Sequence, residues 1–210
     1  MKILLVAATS AEISILTDHF KLRDAAFQQT EKFDILITGV GMTATAFALG
    51  KHLSGIYNLV LNLGIAGSFD PTIPLGTVLN IVTDEFSELG AEDKDAFLSI
   101  ETLGFGKSSY RAHNNLLHSS LSGLSKVKGI TVNTVHGTQH SIDDIKNRLK
   151  PVTESMEGAA VLYCCENEGI PCLQIRSISN YVEPRNKESW KIGPAIKNLN
   201  EWAIGFLTNS

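Results

Sequence analysis

Three short stretches hold side chains whose types and spacing could do chemistry. "TSAE" (9–12) sets a carboxylate just past the apolar run "KILLVAA" (2–8). At the C-terminal end of a strand a carboxylate can serve as general base, because α/β sheets bind ligands in the crevice there. The same residues read as T-x-x-E before Ile13, Ile15 and Leu16, a capping box with Thr9 as N-cap and Glu12 at N3. Local sequence leaves both roles open for Glu12. "TESMEGAA" (153–160) puts Met156 and Glu157 at an expected helix start. The helix macrodipole alone favours an acid there, yet Glu154, beside the expected cap Ser155, could meet that need nearly as well. Met156 suits either the core or an adaptable apolar wall against a ligand. "IRSISN" (175–180) begins as a buried strand and turns polar. Asn180 is then either a turn residue bonding its own backbone or a side chain aimed at a ligand.

Other signals are weaker. "GVGMTA" (39–44) fits G-x-G-x-x-A between a strand and a helix, but it follows the second strand. The next strand ends near Asn62 rather than an acid, so nothing grips a ribose hydroxyl as a dinucleotide site requires. A tight turn that lets the backbone approach some ligand is the better reading. The six histidines are scattered; His136, at the end of an expected strand, is the best placed for a site. The coil-like "HGTQH" argues against a metal pair with His140, and no metal or cofactor is implied. There is neither a G-x-S-x-G elbow nor a phosphate loop of the G-x-x-x-x-G-K-[ST] type.

The elements that must position these groups alternate. Strands are expected over 2–8, 33–39, 58–64, 76–86, 129–137 and 171–179. Helices are expected over 10–20, 42–53, 142–149 (stopped by Pro151), 157–168 and 189–207. The strand at 58–64 is expected to run into a glycine-rich turn, "GIAGSFDP", and 87–125 reads as irregular, a flap or interface loop. Alternation of this kind implies an α/β sheet with helices on both faces. No repeat or linker divides residues 1–210, so a single domain is expected.

Composition excludes several classes. With 18 basic and 22 acidic residues the net charge is −4, which offers no nucleic-acid footprint. The seven-residue apolar start runs directly into polar residues, so neither a secretory signal nor a membrane span is expected. Cys164, Cys165 and Cys172 read as reduced thiols of a cytoplasmic protein.

"MKILLVAATSAE", "LVLNLGIAGSFDPTIPLGTVLNIVTDE" and "SMEGAAVLYCCENEGIPCLQIRSISN" occur in this order across nearly the whole chain. Together they resemble the purine nucleoside phosphorylase/nucleosidase superfamily, on its methylthioadenosine/S-adenosylhomocysteine nucleosidase branch. The resemblance implies a three-layer α/β fold, with a central mixed, partly barrel-like sheet flanked by helices. It also implies a small-molecule nucleoside substrate and a homodimer or higher homo-oligomer. By motif, Glu12 matches the water-activating glutamate, and Met156 and Glu157 match the pair that packs on the ribose and binds its hydroxyls. Arg176 and Ser179 match residues that orient the side chain following them. Gly64, Ala66 and Gly67 match the turn beneath ribose and base, and His136 joins the substrate-binding set.

Asn180 departs from that branch, which carries an aspartate to bond or protonate purine N7. An asparagine offers an NH2 to a 6-oxo group while its carbonyl accepts from N7–H. A carboxylate there would face the 6-oxo oxygen acceptor to acceptor. A 6-oxopurine nucleoside is therefore expected, and the resemblance further implies an inosine type bearing a carboxylated aromatic 5′ chain. Phe105, Tyr110 and Arg111, with Lys107 and His113, are candidates for holding that chain, which the resemblance implies is done across a subunit boundary. Only Arg23 supplies an arginine in the first 110 residues, so water rather than phosphate is the expected nucleophile. A broader purine or methylthioadenosine nucleosidase is the alternative. A non-catalytic nucleoside binder is disfavoured, since it needs no water-activating Glu12.

Overall fold

The computed structural model describes residues 1–94, 96–113, 116 and 118–209. Asp95, Asn114, Asn115 and Leu117, from the stretch expected to be irregular, lie outside the described residues, as does Ser210. In chain order the elements are β1 (Ile3–Ala7), α1 (Ser14–His19), β2 (Phe27–Gln28), β3 (Phe33–Ile37), α2 (Met42–His52) and β4 (Leu59–Ser68). Then come β5 (Val78–Phe86), β6 (Gly90–Asp93), β7 (Ala96–Ser99), β8 (Ser109–Arg111), β9 (Lys126–Thr131) and α3 (Gln139–Leu149). The chain continues through β10 (Thr153–Ser155), α4 (Gly158–Asn167), β11 (Cys172–Tyr181) and α5 (Ile192–Thr208).

The main sheet runs β10-β9-β5-β11-β4-β1-β3-β2, and a further pairing of β10 with β4 closes five of these strands into a barrel-like ring. β3, β1, β4 and β11 are mutually parallel along this path, while β5 runs antiparallel to β11. Parallel strands are buried on both faces and read as continuous apolar runs, which "ILLVA" and "LVLNL" illustrate. Their pleat sorts side chains into two cores. Leu5, Ala7, Leu61 and Leu63 pack with Leu16 of α1 and with Leu199, Ala203 and Phe206 of α5. Leu4, Val6 and Val60 pack on the other face with Leu49 of α2 and Val161 and Leu162 of α4. Each leucine, valine or phenylalanine among them, fully withdrawn from water, contributes about 1.5–3 kcal/mol. The three-layer mixed α/β fold expected from the sequence is the one formed.

Two expectations on local structure are corrected. Residues 64–68 form no turn: β4 continues through Gly64, Ala66 and Gly67 to Ser68, because β11 pairs with it residue by residue over this stretch. The stretch 87–125 is not wholly irregular, since it contains the β6–β7 hairpin and β8, which pairs with β5. β10 has too few residues to be seen in a pattern and was not expected at all.

Behind α4 lies a buried polar network centred on Asp84. Its carboxylate accepts from Gln174 Nε2 at 2.6 Å and from Thr131 Oγ1 at 2.9 Å. Burial pushes its pKa from 3.8 up to about 6, against those hydrogen bonds and the Arg176 charge. Folding is then opposed as Asp84 ionises, between the unfolded value of 3.8 and the folded value of about 6. The stability of Asp84→Asn relative to the parent should therefore rise with pH through that window, by about 3 kcal/mol in all, and stay level outside it. Chemical denaturation of both proteins from pH 3.5 to 8 checks this; a pH-independent difference would refute it.

Candidate active site

β1 delivers the chain to Thr9, after which a 3₁₀ turn, Ser10–Ile13, carries Glu12. The capping box forms: Glu12 Oε2 accepts from the Thr9 backbone N–H at 3.1 Å. The other oxygen does something the local pattern did not foretell. Glu12 Oε1 accepts from the Ile65 N–H at 3.0 Å, which ties the carboxylate to β4. The side chain is 8% exposed. Burial raises its pKa above the ordinary value, the Arg176 guanidinium opposes that rise, and the nearby Glu157 carboxylate adds to it.

Arg176 of β11 stands opposite Gly64 of β4. A Cβ on Gly64 would lie 1.8 Å from Arg176 Nη1 and 2.9 Å from Glu12 Oε1, so the missing side chain is what lets guanidinium and carboxylate share this surface. Arg176 is the largest fully buried side chain, and its Nε and Nη2 find no hydrogen-bond partner among the described residues. Its charge lies close enough to act on both Glu12 and Asp84.

Glu157 immediately precedes α4. Its Oε1 accepts from the Gly41 N–H at 2.9 Å. Gly39 and Gly41 have φ of 83° and 94°, a region that glycine enters without strain. The "GVGMTA" turn therefore presents a backbone amide to Glu157. α4 is anchored by the Ala159 N–H, which donates to Thr131 Oγ1 at 2.7 Å, and by Gly158, where a Cβ would come within 2.1 Å of Asp84 Oδ2. Met156 is half-buried beside it.

Asn180 sits past a bulge in β11, where Ile178 pairs with Ala66 but Asn180 pairs with the very next residue, Gly67. The Ser179 hydroxyl lies 2.8 Å from Asn180 Oδ1 and 3.3 Å from the Ala66 carbonyl. Asn180 Nδ2 donates to the Tyr181 carbonyl at 3.0 Å. These bonds leave one N–H and one lone pair of the amide for a ligand. The asparagine is thus both bonded to its own backbone and exposed to a cavity, which is lined by Gly67, Val135, His136, Glu154 and Trp190 among others. His136 Nδ1 pairs with Glu154, whose Oε1 also accepts from the His136 backbone N–H at 3.1 Å.

The 5′ candidates lie apart from this cluster. Phe105 is exposed and Tyr110 is buried, edge-on to Phe86 and Tyr163, with its hydroxyl donating to the Lys107 carbonyl. Lys107 pairs with Glu166 of α4, and Arg111 is exposed. Among the described residues no hydrogen bond links them to Glu12, Glu157 or Asn180. Sequence reasoning missed Glu154 as a cavity group, having weighed it only as a helix-end charge.

The phosphorylase superfamily model matches residues 2–204. Futalosine hydrolase of Streptomyces coelicolor is 32% identical over 184 residues, covering 83% of this chain and 78% of that protein. Among solved structures, the methylthioadenosine/S-adenosylhomocysteine nucleosidase of Colwellia psychrerythraea in complex with adenine superposes with a TM-score of 0.81 at 20% identity. That match covers 100% of this chain and 95% of the other. Futalosine hydrolase of Helicobacter pylori also gives 0.81, at 14% identity, over 100% and 98% of the two chains. The structural likenesses speak for the fold, and the match over residues 2–204 speaks for descent: this chain belongs to the phosphorylase superfamily.

Proposed function

We propose that this chain hydrolyses the N-glycosidic bond of futalosine, releasing hypoxanthine and leaving dehypoxanthine futalosine. The relationship to the Streptomyces enzyme supports the substrate. The observation that carries the chemistry is the buried Glu12 carboxylate, fixed by the Ile65 N–H beside Arg176 and Glu157. Glu12 takes a proton from a water as its oxygen bonds to C1′ of the ribose. The C1′–N9 bond breaks and its electron pair leaves with the purine. The free N–H of Asn180 donates to O6, N7 takes up a proton from solvent water as the bond breaks, and Asn180 Oδ1 accepts from the resulting N7–H, stabilising the departing base. Ser179 holds the amide in this orientation. Met156 packs on the ribose, and Glu157, with Oε1 fixed on Gly41, offers Oε2 to its hydroxyls. Gly64, Ala66 and Gly67 form the floor, and Arg176 offsets the Glu12 charge.

The enzyme acts as a homo-oligomer of single-domain subunits. Val40, Phe47, Leu89 and Tyr163 are each more than 40% exposed, a face of α2, α4 and the β5 end that suits a second copy. Exposed Phe105 and Arg111 then reach the 5′ group of a neighbouring site, while buried Tyr110 packs on Tyr163 of α4. Among the described residues no helix is long and apolar enough to cross a membrane. Cys165 and Cys172, buried as free thiols, suit the cytoplasm.

The test is purine release from futalosine, methylthioadenosine and inosine, each with and without phosphate. Phosphate-independent hypoxanthine from futalosine is expected; adenine from methylthioadenosine as the main activity would overturn the substrate. Asn180→Asp should cut the preference for futalosine over its 6-amino counterpart by about tenfold or more, the worth of one mispaired buried group. An unchanged preference would remove Asn180 from base selection.

A further inference from the structure

Asn200 is the one polar side chain among the six buried residues of α5, and it is 0% exposed. Its neighbours Leu199 and Ala203 belong to the core between α5 and the sheet. The amide of Asn200 makes three hydrogen bonds. Oδ1 accepts from the Leu16 backbone N–H at 2.8 Å, and Nδ2 donates to the Glu12 carbonyl at 2.7 Å and to the Ile196 carbonyl at 2.6 Å. These partners admit only one orientation of the amide, since an N–H must meet an acceptor and a carbonyl a donor. In a continuous α-helix the N–H of residue 16 would donate to the carbonyl of residue 12. Asn200 is inserted into that pair, taking the N–H on one side and supplying a donor to the carbonyl on the other. The chain breaks at the same place: Ile13, between the 3₁₀ turn and α1, has φ −120° and ψ 17°.

We propose that Asn200 is a positioning residue for the hydrolysis, holding the 3₁₀ turn apart from α1 so that the Glu12 carboxylate stays on the Ile65 N–H. The inference rests on the general-base role given to Glu12 in the preceding section. A competing arrangement lies close by. Without the amide, the Leu16 N–H and the Glu12 carbonyl are free to bond each other, and α1 can wind back through residues 10–13. Passing from three residues per turn to 3.6 swings successive side chains by about 20° each. Glu12 Oε1 would then leave the Ile65 N–H, and its placement against Arg176 and Glu157 would change with it. Capping explains only part of the geometry. Ile13, at the N-cap of α1, offers no side-chain acceptor, and Asn200 supplies one from another helix. A cap needs the bond to Leu16 alone; the second bond, to the Glu12 carbonyl, is what reaches the catalytic turn.

The experiment measures hypoxanthine release from futalosine by the parent, Asn200→Leu, Glu12→Gln and the double variant. Leucine is similar in size to asparagine and leaves the two freed backbone groups able to pair. The kcat of Asn200→Leu should fall by roughly 10²-fold, the cost of displacing a reacting group by about 1 Å, while KM changes little. In the Glu12→Gln background the same substitution should leave kcat within about twofold, because the proton acceptor it displaces is already gone. A further loss there as large as in the parent overturns the proposal and leaves Asn200 a structural residue only. So does parental kcat in a folded Asn200→Leu. If that variant does not fold, deuterium exchange of the parent decides. The Leu16 amide should exchange as slowly as those of β4, and exchange at the rate of an exposed amide overturns the proposal. A parent that releases no hypoxanthine, or a fully active Glu12→Gln, would instead sink the reading of Glu12, so the two failures are distinct.

Discussion

Glu12→Gln is expected to lower kcat for purine release by roughly 10²–10⁴-fold, the usual worth of a positioned proton acceptor, while KM changes little. The amide oxygen of a glutamine can still accept from the Ile65 N–H, so the turn that carries residue 12 keeps its tie to β4. What disappears is the ability to take a proton from water. The working form of Glu12 is the carboxylate. Because burial raises its pKa above the ordinary 4.5, the active form is lost earlier on acidification than it would be for an exposed glutamate. The kcat/KM profile of the parent should therefore fall on its acid side around an apparent pKa above 4.5. A stopped assay across pH 4–9 on both proteins measures the two effects together. Glu12→Gln turning over at the parental rate would end the general-base assignment.

Gly64→Ala is expected to damage both stability and catalysis although it adds a single methyl group. The new carbon would sit 1.8 Å from Arg176 Nη1 and 2.9 Å from Glu12 Oε1. Relief requires moving a guanidinium that is 1% exposed, in the middle of a paired strand. Overpacking of this kind costs about 1–3 kcal/mol, which in a domain of this size lowers Tm by about 2–12 °C. Displacement of Arg176 also withdraws the positive charge that holds down the Glu12 pKa, so the acid limb of the activity profile should move further up. Gly50→Ala is the matching control: Gly50 lies in α2 with nothing within 4 Å of its would-be Cβ, and alanine there favours the helix. Thermal melts that fall equally for the two variants would show that the close approach at Gly64 is not what matters.

Much of this architecture was legible because its physics is local. Apolar runs such as "ILLVA" need no partner to be recognised as strands, and the order of strands and helices implied a sheet covered on both faces. The motifs of the resemblance pointed to Glu12, Glu157 and Asn180. What stayed hidden depends on pairings distant in sequence. Glu12 looked like a cap, and it is one; its second tie, to Ile65, spans 53 residues and leaves no local trace. "GIAGS" looked like a turn because of its glycines, yet the small residues serve close approach by Arg176, Asn180 and Val182 in a continuous strand. "GVGMTA" looked like a tight turn, but nothing local showed that its Gly41 amide meets Glu157, 116 residues away. Glu154 could be placed only once β10 was known to pair with β4, and β10 has too few residues to show a period.

The bulge between Ile178 and Asn180 has an evolutionary consequence. Strict alternation would have placed residue 180 with Arg176 and Ile178, where the barrel demands a particular fit. The extra residue frees it from that parity and sets it beside Gly67, in the cavity proposed for the base. An asparagine codon is a single base change from an aspartate codon. On the role proposed for Asn180, the choice of purine lies within reach of the smallest heritable step. Loss of the Ser179 codon would return the strand to regular alternation with the asparagine still opposite Gly67, but without the hydroxyl that lies against its Oδ1.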